Sequence, residues 1–245
     1  MRPLKRFLPF ALKAWVKERI AVTFNIPYSR FGVPIPIMEA LPRSERVTLI
    51  DAGASNGSFT AAMDRYCGIR KAMLIEPQPK RVEQMKSRFP GERFFFACAA
   101  VSSEQGSMEM EVLNWDYSSS ILPVRRDLPA LHAAVDLGVR EKIQVEVTTL
   151  DTLCDRFHFD ETIDLLKIDV QGAESLVLAG AAKTLRRTRL IWMELSLQPL
   201  YEGSVTAERM IRLCRDHGFV LRHIEEGFWS SEKELLQVDA LFAPL

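Results

Sequence analysis

An open α/β domain with a mostly parallel sheet is the fold that three features of this sequence predict. Residues 47–57 pass from a short apolar β-type run into an acid and a glycine-spaced turn. Residues 163–174 form a second strand that ends in charged residues and a glycine turn. Between and beyond these stretches, strand-like runs alternate with helical ones.

Taken from the N-terminus, residues 4–22 space Leu4, Leu8, Leu12, Trp15 and Ile20 at roughly helical intervals, with Lys5, Arg6, Lys13, Lys17 and Arg19 between them. This predicts a basic amphipathic helix, packed on the main domain or, alternatively, resting on anionic lipid. Residues 25–44 contain Pro27, Pro34, Pro36 and Pro42 and read as an extended linker with a short helix around 37–41. The expected organisation is therefore an N-terminal extension over 1–45 and one globular domain over 46–245. Val47, Leu49 and Ile50 suit a buried parallel strand, and a helix is expected over 58–66.

The turn between them reads Asp51-Ala52-Gly53-Ala54-Ser55-Asn56-Gly57. A dinucleotide fingerprint has a second glycine where Ser55 stands, and Asp51 would repel a diphosphate. A cationic ligand without phosphate, such as S-adenosylmethionine, suits the turn better. The next strand, 72–76, delivers Glu76 to its carboxyl end, 25 residues after Asp51, at the spacing that sets an acid against a ribose. A carboxylate can accept from both ribose hydroxyls. Capping of the following helix, 80–88, is the competing role for Glu76, and Pro77 and Pro79 disfavour it.

Residues 93–97 read as a third strand, and the small residues after it, Ala99 among them, suit either a flat ring laid against the chain or ordinary packing. Residues 106–113 and 145–149 alternate like exposed strands. The loop 114–121, with Trp115, Tyr117 and three serines, suits a hydroxyl-rich ligand or an ordinary surface. The strand at 163–169 sets Lys167 and Asp169 on one face, as an ion pair or as site residues, and Glu174 falls in the first turn of the next helix. Residues 189–194 give a fifth strand that ends in Glu194. A helix over 206–217 stops at Gly218, and strands 219–224 and 238–242 pair antiparallel, their connection crossing the pocket through Gly227 and Trp229.

The composition narrows the function. The 47% hydrophobic content of 245 residues supplies a full core. The formal charge is zero, but residues 1–43 hold eight Lys/Arg against two acids, which leaves 24 basic and 30 acidic residues elsewhere. That distribution argues against a nucleic-acid footprint. Cys67, Cys98, Cys154 and Cys214 form no Cys-x-x-Cys pair and read as reduced thiols. The apolar N-terminus is interrupted by Lys13 and Lys17 before a signal sequence is complete, so the expected location is cytoplasmic, with the inner membrane surface as the alternative.

Asp51–Gly57, Ile75-Glu76-Pro77, Thr149–Leu153, Asp164–Glu174 and Val238–Phe242 together resemble the FkbM-type methyltransferases, in the family's order and over residues 46–244. The resemblance implies a class I methyltransferase fold: a Rossmann-like, seven-stranded, mostly parallel sheet with an antiparallel terminal strand and helices on both faces. It implies S-adenosylmethionine as methyl donor and methylation of a hydroxyl oxygen of a small-molecule or glycan acceptor, that of a sugar in a glycan, lipopolysaccharide or glycosylated natural product. Asp51, Gly53, Ala54, Asn56 and Gly57 would face the methionine part of the cofactor, Glu76 and Pro77 the ribose, and Ala99 the adenine. Asp169 is the first candidate for the base, Glu194 the second, and Lys167 would orient the carboxylate or the acceptor. A divalent cation held by Asp169 and Glu194 is a less favoured alternative. The rival functions are an NAD(P)-dependent oxidoreductase, disfavoured by Ser55 and by the lack of a Tyr-x-x-x-Lys pair, and a cofactor-binding scaffold without turnover.

Overall fold

The computed structural model describes residues 32–114, 119–128 and 136–245. Its main sheet has seven strands in the order β3-β2-β1-β7-β8-β10-β9. β1 (Val47–Ala52), β2 (Ile69–Ile75), β3 (Phe94–Ala97), β7 (Leu165–Ile168) and β8 (Ile191–Ser196) pair parallel with one another. β10 (Gln237–Pro244) runs antiparallel between β8 and β9 (Phe219–Glu226). The chain builds outward from β1 to β3 and then returns to the other side of β1 with β7. That reversal opens a crevice beyond the carboxyl ends of β1 and β7.

The central strands are buried on both faces, which is why β1 and β7 read as nearly continuous apolar runs. Alternate residues enter two cores. Leu49, Leu74, Leu165 and Trp192 pack with α1 (Ile35–Ala40), α2 (Ser58–Tyr66) and α3 (Pro79–Arg88). Ile50, Met73, Leu166 and Met193 pack with α4 (Leu150–Arg156), α5 (Glu174–Ala179), α6 (Ala182–Leu185) and α7 (Ala207–Asp216). Each fully buried aliphatic side chain contributes about 1.5–3 kcal/mol, so the two layers fix the sheet between them.

A second, three-stranded sheet joins β4 (Ala100–Val101), β6 (Val139–Thr148) and β5 (Gly106–Leu113). β5 has the expected bounds. β6 begins six residues before the expected strand, because β5 offers it an antiparallel ladder from Gly106 to Leu113. β8 also outruns its expected end. β10 pairs with it through Ser196, so Glu194 lies within the strand and directly opposite Asp239.

The described part of the segment read as a linker is packed: Val33, Ile37 and Leu41 belong to the core under α2. The basic stretch 4–22 and Trp115 and Tyr117 of the polar loop lie outside the described residues. Among the described residues, no helix is long and apolar enough to cross a membrane. The four cysteines are free thiols.

Candidate active site

The turn after β1 closes down on the end of β2. Gly53 and Ala54 donate their backbone N–H groups to the Ile75 carbonyl at 3.0 and 2.9 Å. Gly53 has φ +78°, and a Cβ there would fall 1.8 Å from the Asp169 carbonyl oxygen, so only glycine lets β1 and β7 close at this point. Ser55, at φ +52°, donates its N–H to Glu76 Oε2 at 2.9 Å, and Arg81 reaches the Ser55 hydroxyl.

Glu76 stands one residue beyond β2 and is 5% exposed. Its Oε1 accepts from Gln78 N at the entry to α3, at 3.1 Å. That bond goes to the residue ahead of α3 and not to the free N–H groups of its first turn, so Glu76 does not cap the helix, and it lines the cavity. Burial pushes its pKa up to about 7, against the pull of Arg81 and the two backbone N–H groups.

Gly53, Glu76, Pro77, Ala99, Asp169 and Glu194 line one cavity of about 490 Å³. Ile75, Ala100 and Val101 give it an apolar strip, and Gln171, Tyr201, Gln237 and Asp239 complete the wall beyond Asp169. Gly227 reaches this wall as expected, with Phe228 beside it, whereas Trp229 is not part of it.

Asp51, Ala54, Asn56, Gly57 and Lys167 are not on the cavity wall. Asp51 was expected to face a cationic ligand, and the structure corrects this. It is fully buried below the turn, where Oδ2 accepts from the Thr60 hydroxyl at 2.7 Å and Oδ1 makes an ionic contact with Lys167 Nζ at 3.2 Å. That Oδ1 contact lacks hydrogen-bond geometry. Strand register causes the burial, since Asp51 and Lys167 are partners in the β1–β7 ladder and both point into the helix layer. Ala54 is buried, Asn56 accepts from Ser58 N at 3.0 Å at the start of α2, and Gly57 lies against the Phe89 ring.

Lys167 joins the turn to Asp169. Its ammonium donates to the Gly53 carbonyl at 2.8 Å and pairs with Asp51 and with Asp169 Oδ2, the latter at 3.3 Å. Burial works against its charge, but Asp169 and Asp51 outweigh it and hold the pKa above the ordinary lysine value. Asp169, just past β7, keeps 38% of its side chain exposed. Its Oδ1 accepts from Gln171 Nε2 at 2.8 Å.

Glu194 Oε2 accepts from Gln171 Nε2 at 3.2 Å and from Gln237 Nε2 at 2.6 Å. Its pKa is raised well above the carboxylate range by burial and then by Asp169, Glu174 and Asp239. Asp239 is pushed up to about 7 by burial and then by Asp169. Glu174 Oε1 accepts from Val170 N and Gly172 N, both at 3.1 Å, and so closes the turn ahead of α5.

Gln171 bears on the metal alternative, because its amide nitrogen already lies between the Asp169 and Glu194 carboxylates. Among the described residues, no group of three or more His, Cys, Asp or Glu side chains is arranged to hold a metal ion. The sequence reading gave no role to Asp239, Gln237, Gln171, Tyr201 or Arg81. Gln237 and Asp239 carried a signal, as polar residues two apart in an otherwise apolar strand. Tyr201 carried none, because a loop delivers it.

The donor set fits S-adenosylmethionine. Glu76 uses its two oxygens on one backbone N–H each, which leaves acceptor positions for two ribose hydroxyls. The strip at Ile75 and Ala99–Val101 is apolar and small enough to take a flat ring, and the wall around it holds several carboxylates.

A family model described as the methyltransferase FkbM domain matches residues 51–221. Over 225 residues the chain is 32% identical to the 2-O-methyltransferase NoeI of Sinorhizobium fredii, covering 86% of this chain and 88% of that one. Among solved structures, a methyltransferase FkbM from Methylobacillus flagellatus matches at 13% identity and a TM-score of 0.47, over 80% of this chain and 43% of that one. The fibrillarin of Aeropyrum pernix, solved with S-adenosyl-L-methionine, matches at 12% identity and a TM-score of 0.48, over 87% and 75%.

Proposed function

The chain belongs to the FkbM methyltransferase family, whose methyl donor is S-adenosylmethionine, and on that premise we propose that it methylates a hydroxyl oxygen of a sugar, in a small molecule or a glycan. Membership replaces the nicotinamide-dependent and scaffold alternatives. The observation that carries the proposal is the setting of Asp169. It is a half-exposed carboxylate at the sheet's carboxyl edge, anchored on one oxygen by Lys167 and on the other by Gln171, with Glu194 and Asp239 beside it.

When bound, S-adenosylmethionine supplies an electrophilic methyl carbon whose bond to sulfur breaks as the bond to the acceptor oxygen forms. In this reading Glu76 holds the ribose, Ala99 and its neighbours back the adenine, and Gly53 and Ser55 border the methionine part. Asp169 takes the proton from the acceptor hydroxyl, and placing that hydroxyl in line supplies much of the rate. Glu194, drawn to Gln171 and Gln237, shapes the same wall. The name of the Sinorhizobium relative, a 2-O-methyltransferase, supports a ring hydroxyl as the acceptor.

The test is transfer of a labelled methyl group from S-adenosylmethionine to a panel of free sugars and glycosides, with wild type and Asp169→Asn. The base assignment requires a 10²- to 10⁴-fold loss of turnover at roughly unchanged donor affinity. Equal turnover would remove it, and label appearing only on amines would remove oxygen as the acceptor atom.

A further inference from the structure

Gln171 stands in the left-handed region at φ +57°, followed by Gly172 at φ +95°. A residue with a side chain is uncommon in that conformation and persists where its surroundings hold it. Here the surroundings are Tyr201. A Cβ on Gly172 would come within 2.7 Å of the Tyr201 ring, so the bare glycine lets the ring lie on the turn. Tyr201 is 3% exposed, and its hydroxyl donates to Gln171 Oε1 at 2.9 Å.

With its oxygen engaged there, the amide turns Nε2 toward the carboxylates, 2.8 Å from Asp169 Oδ1 and 3.2 Å from Glu194 Oε2. The flipped amide would set its oxygen against both carboxylates and lose these contacts. Gln237 Nε2, at 2.6 Å, fixes the same Glu194 oxygen from β10. Lys167 and Gln171 thus take one bond to each Asp169 oxygen and leave the carboxylate's remaining lone pairs to the cavity.

We propose that Gln171, its amide oriented by Tyr201, is a positioning residue that holds the Asp169 and Glu194 carboxyls side by side as a pair facing the acceptor. The inference rests on the reading of Asp169 as base. The proton that leaves the acceptor oxygen goes to the pair and from there to solvent, so no other reactant is required. Burial first, and the Asp169 charge after it, raise the pKa of Glu194, so its charge is sensitive to how the amide holds the two carboxyls.

The experiment uses the full chain in three forms. Gln171→Met keeps the side-chain length and removes the amide. Tyr201→Phe removes only the hydroxyl that orients it, and it serves as the second variant where Gln171→Met folds poorly. Carboxyl carbon-13 NMR of Asp- and Glu-labelled protein follows the titrations without an acceptor, with signals assigned from Asp169→Asn and Glu194→Gln. In wild type Glu194 is expected to titrate above the ordinary carboxylate range. A shift of about one pH unit is expected in Gln171→Met, and a smaller one in the same direction in Tyr201→Phe.

With the panel sugar that turns over, kcat should fall about 10- to 100-fold at near-constant donor KM, and the acid limb of the pH profile should move with the NMR steps. Superimposable carboxyl titrations in wild type and variants overturn the proposal, as does a loss of kcat that is equal at every pH. Failure of the base assignment is read separately, from Asp169→Asn.

Discussion

Glu76 meets the cavity as a buried carboxyl with a pKa of about 7, raised by burial, and two backbone N–H bonds that leave it further acceptor capacity. Ribose hydroxyls donate to the carboxylate and not to the protonated acid's O–H, so donor binding should weaken as pH falls below about 7. The slope should approach tenfold per pH unit well below that value. Calorimetry between pH 5.5 and 8.5 measures this, and a flat profile would remove the ribose role. Glu76→Ala should weaken donor affinity by about 1–3 kcal/mol. Gly53 is the other residue whose identity is decided at one atom: with 1.8 Å between an added Cβ and the Asp169 carbonyl, Gly53→Ala must force β1 and β7 apart. A loss of more than about 2 kcal/mol is expected in chemical denaturation.

The paired elements carry two cross-strand charge arrangements, one of unlike and one of like groups, with opposite consequences. β1 and β7 set Asp51 beside Lys167, an acid against a base in register. Lys167→Met leaves Asp51 buried and uncompensated, and a destabilisation of about 3–5 kcal/mol in urea unfolding should follow. β8 and β10 set Glu194 opposite Asp239, acid against acid. Asp239 has a folded pKa of about 7, raised by burial above its ordinary value of 3.8. Between those values the folded chain holds the proton more tightly than the unfolded one, so stability falls as pH rises through the window and levels off above it. Asp239→Asn should therefore match wild type in stability near pH 4 and exceed it by about 1–2 kcal/mol at pH 8, the site being partly solvated. No difference at pH 8 would mean that burial does not hold the proton on Asp239 in the folded chain.

At the scale of the molecule, the reversal of strand order beside β1 brings Gly53, Ser55, Glu76, Asp169 and Glu194 around one cavity, although more than a hundred residues of sequence separate Gly53 from Asp169. α1 belongs to this body. Val33, Ile37 and Leu41 are at most 2% exposed, and a chain shortened to start at residue 45 would lose roughly 4.5–9 kcal/mol of apolar burial. Thermal unfolding should show a lower midpoint for that chain than for one lacking only residues 1–22. Flotation of intact protein with anionic vesicles tests the lipid alternative for the basic stretch 4–22, and an unbound intact protein would remove it.

The sequence by itself determined the alternation of strand and helix, the two turns at which the sheet meets its ligand, and the family. Each of these is a local signal: an apolar run buried on both faces, a glycine where φ is positive, an acid at a fixed distance from a turn. Helix 58–66 and the hairpin of the last two strands were legible for that reason. Only the tertiary structure decided that Asp51 faces Lys167 rather than the ligand, that Glu194 lies within its strand opposite Asp239, and that Gln171 is oriented by Tyr201. These depend on register between strands remote in sequence and on which face a side chain takes once its neighbours are in place, and no local pattern encodes either.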